Sequence, residues 1–243
     1  MSAPLFLVPE LPRGEHHRLT GPEGHHAAAV QRLCAGESLL LGDGAGGIAR
    51  CEVTGVDRAG LDVRVKERVT VPAANPRLRV VQAIAKGDRG ELAVQAMTEV
   101  GADAIVPWSA ARSVVRWQGE RGERAARRWR VTAREAAKQA RRAWLPDIPD
   151  AADTKAVCRA VEAASAAYVL HEEAAEPLAA APLPAEGEIL LLVGPEGGVT
   201  PEELEAFIAA GARSVRLGAE VLRTSTAGVA ALSVVNARTA RWG

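Results

Sequence analysis

The stretch ILLLVGPEGGVTPEEL, Ile189 to Leu204, constrains this chain more than any other. Ile189 to Val193 run on without a polar residue. A strand with one wet face would alternate, so this run reads as a strand covered on both faces, as in a parallel sheet. The turn Gly194-Pro195-Glu196-Gly197-Gly198 interrupts it. Thr200 then suits a helix N-cap, Pro201 the first helical position and Glu203 the far side of a capping box, with acids at the positive end of the helix dipole. The helix should pass through Leu204, Phe207 and Ile208 and stop near Gly211. A loop so placed lies outside the carboxyl end of a parallel strand, where open α/β sheets bind ligands. A tight turn that needs glycine only for its backbone angles would carry the same letters. No lysine follows the glycines, which argues against a nucleotide P-loop.

A second stretch, SVRLGAEVLRTSTAGVAALSVV from Ser214 to Val235, repeats the pattern. Ser214 to Leu217 reads as a strand, Gly218 to Thr224 as a loop, and a small-residue helix follows from about Ser225. Two such loops, one helix-length apart, can form opposite walls of one pocket.

Upstream the pattern changes. Short strand-like pieces at Leu5 to Val8, Ser38 to Leu41, Ile48 to Val56 and Leu61 to Val69 are separated by turn residues, with one short helix at His26 to Leu33. This predicts a small β domain over 1–73. The stretch PAANPR at 72–77 reads as a linker. From 76 to 243, strand and helix alternate: a strand at Leu78 to Ala85, a helix from Gly90 to Val100 ended by Gly101, a strand at Ala104 to Pro107, then a long helix. GDGAGG, Gly42 to Gly47, fits a dinucleotide fingerprint in letters, but a strand follows it where a helix is needed, so it reads as a hairpin turn. The pairs His16-His17 and His25-His26 are adjacent in sequence and point apart, so they read as solvated or loop residues rather than ligands.

Composition removes some classes. Lys plus Arg and Asp plus Glu are both 30, so bulk charge selects no partner. The odd cysteines Cys34, Cys51 and Cys158 lack metal spacing and suit a reducing compartment. No metal is expected. The start, MSAPLFLVPELPRG, lacks the features of a signal peptide, and no apolar run is long enough for a membrane span. A cytoplasmic protein is expected.

Charge is local instead. Between Glu120 and Trp144, Lys and Arg outnumber Glu nine to three. Arg127, Arg130, Arg134, Lys138 and Arg141 share one helical face, with Ala125, Trp129, Ala136 and Ala140 roughly opposite. The stripe suits a polyanion; a solvated helix face is the alternative.

The motifs LLVGPEGGVTPEE, LGAEVLRTSTA, AIAKGD…TEVGADAIVPW…RSVV and HHAAAVQRL…G together resemble the RsmE family, bacterial SPOUT methyltransferases that modify N3 of a uridine in 16S ribosomal RNA. The likeness covers nearly the whole chain. It implies a PUA-like β-barrel followed by an α/β SPOUT domain with a trefoil knot over about 166–243, S-adenosylmethionine as methyl donor, and a homodimer with the cofactor site near the subunit interface. Physics alone would not propose a knot. The cofactor site implied comprises the turn Gly194, Pro195, Glu196, Gly197 and Gly198; the second loop with Gly218, Arg223, Thr226 and Ala227; and a third loop at Leu170, His171 and Glu172. Leu192, Val193, Leu217 and Leu222 are expected to flank the adenine. Arg223 matches the arginine of the LRTxTA motif, and its implied role is to stabilise charge on the uracil oxygens; helix packing or a phosphate contact is the alternative. Glu196 could touch the cofactor or fix its own loop. Arg32, Lys86 and Arg112, with the helix stripe, are the RNA contacts expected.

The chain departs from the family pattern in three places. Ser225 stands where Glu is common, Pro4-Leu5-Phe6 replaces an early arginine-bearing run, and Lys138-Gln139-Ala140-Arg141-Arg142 replaces a Glu-Gln-x-Gly-Arg run. A ribose 2′-O-methyltransferase of the same class would carry an Asn-x-Gly…Arg motif, which Asn75 and Asn236 do not provide. A non-catalytic RNA-binding module is the other alternative. The partner implied by the resemblance is 16S ribosomal RNA, free or in the assembled small subunit.

Overall fold

A computed structural model describes residues 3–242. The chain forms two compact units. The first contains the chain through Ala73 together with Ala137–Leu145. Its elements are β1 (Leu5–Leu7), β2 (His16–Leu19), α1 (Gly21–His25), a π-helical turn at His26–Val30, β3 (Ser38–Gly42), β4 (Gly47–Asp57) and β5 (Gly60–Thr70). They build a five-stranded sheet of order β1-β3-β4-β5-β2, antiparallel except for the β1–β3 pair. One face buries Phe6, Leu39, Leu41, Val53, Leu61 and Val63. Burial of each large aliphatic or aromatic side chain contributes roughly 1.5–3 kcal/mol.

Two expectations change here. His16 is exposed, as a solvated residue should be, but it and the half-buried His17 lie on β2 rather than in a loop, opposite Arg64 and Val63 of β5; a four-residue edge strand made of polar letters gives no period-2 signal. The short helix begins earlier, at Gly21, because Pro22 sits in the first turn where its missing N–H costs nothing.

Gly42 to Gly47 does turn β3 into β4. The tertiary structure adds a reason for its glycines. A side chain on Gly46 would start 2.7 Å from the Trp144 ring, and one on Gly44 would start 2.7 Å from Leu145. The hairpin is therefore a seat for Trp144 and Leu145, closed by Trp144 Nε1 donating to the Val71 carbonyl at 2.9 Å and Leu145 N donating to the Gly44 carbonyl at 3.0 Å.

The second unit contains β6 (Arg77–Ala83), α2 (Arg89–Glu99), β7 (Ala104–Trp108), most of α3 (Gly119–Gln139), α4 (Thr154–Ala163), β8 (Ala166–Leu170), β9 (Glu176–Pro177), β10 (Glu188–Val193), α5 (Pro201–Ala209), β11 (Arg213–Arg216) and α6 (Thr224–Arg238). Its sheet is wholly parallel, in the order β7-β6-β10-β8-β11-β9. The uninterrupted apolar run in β10 is explained by its position. Ile189, Leu191 and Val193 pack on one side with α2, α6 and Trp129. Leu190 and Leu192 pack on the other with Val157, Val161 and Phe207 of α4 and α5.

Helix α3 ends at Gln139, five residues short of Trp144. Arg141 takes a left-handed φ of 53°, and the chain turns towards the hairpin at Gly44. No helix among the described residues is long and apolar enough to cross a membrane.

Candidate functional site

The loops after β8, β10 and β11 leave the carboxyl edge of three neighbouring strands and enclose a cavity of about 350 Å³. The first loop contributes Leu170, His171 and Glu172. The second contributes Val193, Gly194, Pro195, Glu196 and Gly198. The third contributes Leu217, Gly218, Leu222 and Arg223, and Ala227 lies at the start of α6.

The loops after β10 and β11 are fixed from behind. Thr200 Oγ1 accepts the Glu203 N–H at 3.2 Å and Glu203 Oε2 accepts the Thr200 N–H at 3.3 Å, so the capping box starts α5 just past the glycine turn. Glu203 is buried and also accepts from Ala111 N at 2.8 Å and Thr154 Oγ1 at 3.0 Å, fastening the segment after β7 to the same helix. Arg112, on that segment, donates to the Gly197 carbonyl at 3.0 Å. Glu196 accepts from Lys86 N at 3.2 Å and from Arg89 Nη1 at 3.3 Å, so it ties its turn to the loop after β6. At the cavity floor, Thr224 Oγ1 donates to the Gly194 carbonyl at 2.8 Å and accepts from the buried Gln82 Nε2 at 2.9 Å.

Three expected cofactor residues lie elsewhere. Leu192 is fully buried on the α4–α5 side of the sheet, because its neighbour Val193 takes the cavity side and successive strand residues alternate. Gly197 faces Arg112: a side chain there would start 3.2 Å from Arg112 Cβ. Thr226 is exposed and its hydroxyl turns back to the Arg223 carbonyl at 3.2 Å, outside the cavity lining. Conversely, Arg89, Val199 and Arg216 line the cavity and were not anticipated, while Glu220, Val221 and Thr224 line it from within the loop expected to form a pocket wall. Arg89 had a signal: it opens a helix after a strand at the same sheet edge. Arg216 is bound to the carbonyls of Ala174 and Ala175, a long-range contact with no sequence signature.

The basic stripe on α3 is not an unencumbered cationic face. Lys138 is 8% exposed and paired with Glu23 at 3.0 Å, so it is a structural ion pair rather than an RNA contact. Arg130 donates to the Ile148 carbonyl and pairs with Asp150, both at distances near 3 Å (3.0 and 2.9 Å). Arg127 pairs weakly with Glu123 at 3.9 Å and stays exposed. Arg134 is half-buried and Arg141 exposed, and both have partners. Arg32 and Lys86 are exposed.

This geometry is matched by known proteins. A family model described as an RNA methyltransferase domain matches residues 73–236, and one described as an RNA methyltransferase PUA domain matches residues 19–66. A Mycobacterium bovis protein named ribosomal RNA small subunit methyltransferase E is 47% identical over 247 residues, covering 100% of this chain and 94% of the relative. The chain belongs to the ribosomal RNA small subunit methyltransferase E family. The Bacillus subtilis relative of that name is 30% identical over 91% of this chain and 90% of its own length. A crystal structure of the Neisseria gonorrhoeae family member bound to S-adenosyl methionine superposes with a TM-score of 0.83 at 26% identity, covering 98% of each chain. The PUA-domain match lies within the β unit, and the methyltransferase-domain match spans most of the α/β unit together with Ala137–Leu145 of the β unit.

Proposed function

We propose that this protein transfers a methyl group from S-adenosylmethionine to N3 of a uridine in 16S ribosomal RNA. The observation that carries the proposal is the cavity at the carboxyl edge of β8, β10 and β11, in a chain whose relatives are named for the small-subunit reaction.

The cavity suits the cofactor by its own chemistry. Leu170, Val193, Leu217 and Leu222 offer apolar surface for an adenine, while Gly194, Gly198 and Gly218 leave backbone groups open to close approach. Glu172 and Glu220 also line it and suit a cationic ligand. When bound, S-adenosylmethionine supplies an already activated methyl group. The residues must then deal with the uracil, whose N3–H is a poor nucleophile until its proton leaves and charge spreads onto the flanking oxygens. Arg223 lines the cavity, and its side chain makes no hydrogen bond or ion pair among the described residues. In this reading its guanidinium meets that charge, a role worth roughly 10²–10³ in kcat for one well-aimed donor.

The same reading includes a PUA-like barrel for RNA recognition, a trefoil knot over about 166–243, a homodimer built on α6, and a cytoplasmic site of action. Support for the knot comes from α6, which follows β11 yet returns to pack on α2, β6 and β10. Ala227, Gly228 and Ala231 are spent on packing within the chain, so support for the dimer is limited to the half-buried face of α6 at Val229, Ala230, Ser233 and Val234.

Nucleoside mass spectrometry of 16S RNA from a strain lacking the protein tests the reaction. Loss of 3-methyluridine is expected, restored by the wild type and not by Arg223→Ala. Loss of a 2′-O-methyl nucleoside instead, or no loss, would reject it.

A further inference from the structure

A second cleft, of about 610 Å³, lies beside the same β6–α2 loop and is absorbed by none of the roles above. Its size is within the range of small-ligand pockets. Four arginines line it, Arg116, Arg121, Arg124 and Arg128, against two carboxylates, Asp88 and Glu91. Glu91 is already engaged by Arg128 at 2.9 Å. Among the described residues Arg124 reaches only Glu120, one turn away at 3.4 Å and 87% exposed. Arg121 is exposed and has no partner among the described residues. The cleft therefore keeps an excess of accessible guanidinium groups.

It also contains an aromatic platform. Trp117 is half-buried, and its ring meets the buried Trp129 edge-on, centroids 5.0 Å apart at 79°. Trp129 is in turn covered by Gly90, where any side chain would start 2.9 Å from the indole. Trp117 is thus backed by a rigid group. Arginines around an aromatic ring suit single-stranded nucleic acid: phosphates pair with guanidinium groups while a base stacks on the ring.

Position links the cleft to the cofactor cavity. Arg89 lines the first cavity, whereas Gly87, Asp88, Gly90 and Glu91 line the second. Glu196 fixes this loop to the glycine turn through Lys86 and Arg89. One short loop is a wall of both.

We propose that this cleft holds an unpaired nucleotide next to the methylated uridine, its base stacked on Trp117 and its phosphates on Arg116, Arg121 and Arg124. The proposal rests on the RNA methyltransferase reading. It makes the site a determinant of which uridine is presented, by requiring an unpaired neighbour.

The test uses the full-length protein, a labelled uridine-rich single-stranded RNA oligonucleotide, and a 16S RNA methylation assay. Arg121→Glu with Arg124→Glu changes only exposed side chains. It should weaken RNA binding about tenfold and lower the slope of log affinity on log salt by about 0.7 per lost phosphate contact. S-adenosylmethionine affinity and mass by light scattering should not change. Trp117→Ala should cost about tenfold in RNA affinity, within the range for losing one stacked base, and Trp117→Phe should recover most of it. Unchanged affinity and salt slope in the double arginine variant, with the wild type binding and methylating RNA, would overturn the cleft and leave the methyltransferase reading intact. A change of oligomeric mass would assign the cleft to a second copy of the chain and also overturn the proposal. A wild type that neither binds nor methylates RNA would reject both.

Discussion

Thr224 Oγ1 donates to the Gly194 carbonyl at 2.8 Å, joining the start of α6 to the end of β10 across 30 residues of sequence. The same oxygen accepts from Gln82, which is fully buried, so the hydroxyl holds together β6, the glycine turn and α6. Thr224→Val keeps the shape and removes both bonds. It should cost about 1–3 kcal/mol of stability, the penalty for buried polar groups left without partners, and should weaken S-adenosylmethionine binding. Thr224→Ser should restore both. Urea unfolding and calorimetric titration of the cofactor measure the two effects; a Val variant with wild-type cofactor affinity would show that the relay is structural only.

Gly198 lines the cavity with φ at 75°, a left-handed angle that costs an ordinary residue about 1–2 kcal/mol. Gly198→Val should lose that stability and also the melting shift given by the cofactor, which at a hundredfold excess over Kd is worth about 2.7 kcal/mol. Gly211→Ala is the control, since Gly211 has φ of 107° and open space around it at the far end of α5. It should be destabilised and keep the cofactor shift. Equal shifts in both variants would remove the Gly198 backbone from the binding site.

Arg241 is 7% exposed and paired with Asp103 at 2.7 Å. It also donates to the carbonyls of Pro76 and Gly101 and to Asn236 Oδ1. Arg241→Met removes the guanidinium that joins Asp103 to the Pro76 and Gly101 carbonyls and to Asn236, and should cost about 1–3 kcal/mol, the penalty for part-buried polar groups that lose a partner. Arg241→Lys should recover part of it, because an ammonium cannot serve the four acceptors with a planar fork. A Met variant with a wild-type urea midpoint would show that the network contributes nothing.

Burial pushes the Cys51 thiol up to about 11 from an ordinary 9.0, with Arg68 acting weakly in the opposite sense. The folded state therefore holds this proton more tightly than the unfolded state. The associated stability is present below pH 9 and is lost as pH rises from about 9 towards 11. Cys51→Val should flatten that part of an unfolding-versus-pH curve. Cys34 is exposed and should react with iodoacetamide in the native protein at pH values where Cys51 does not.

The sequence by itself determined the elements that local chemistry specifies. The apolar run in β10, the Thr200–Glu203 capping box, the glycine stop at Gly211 and the β6–α2 and β11–α6 successions were all legible, because each depends on neighbours within one or two turns. Two of the three cavity loops, those after β10 and β11, were legible in the residues themselves; the resemblance to the family supplied the third, after β8, and the chemistry that the letters alone left open. Tertiary structure decided what depends on which side of an element a residue takes and what it meets there. It turned Leu192 away from the cavity while Val193 entered it, put Gly197 against Arg112, buried Lys138 with Glu23, and ended α3 early so that Trp144 could reach Val71. It also brought Gln82 to Thr224 over 142 residues of chain. A charge or a hydroxyl has the same letter whether it is solvated, paired or buried; only its packed neighbours fix which of these it is.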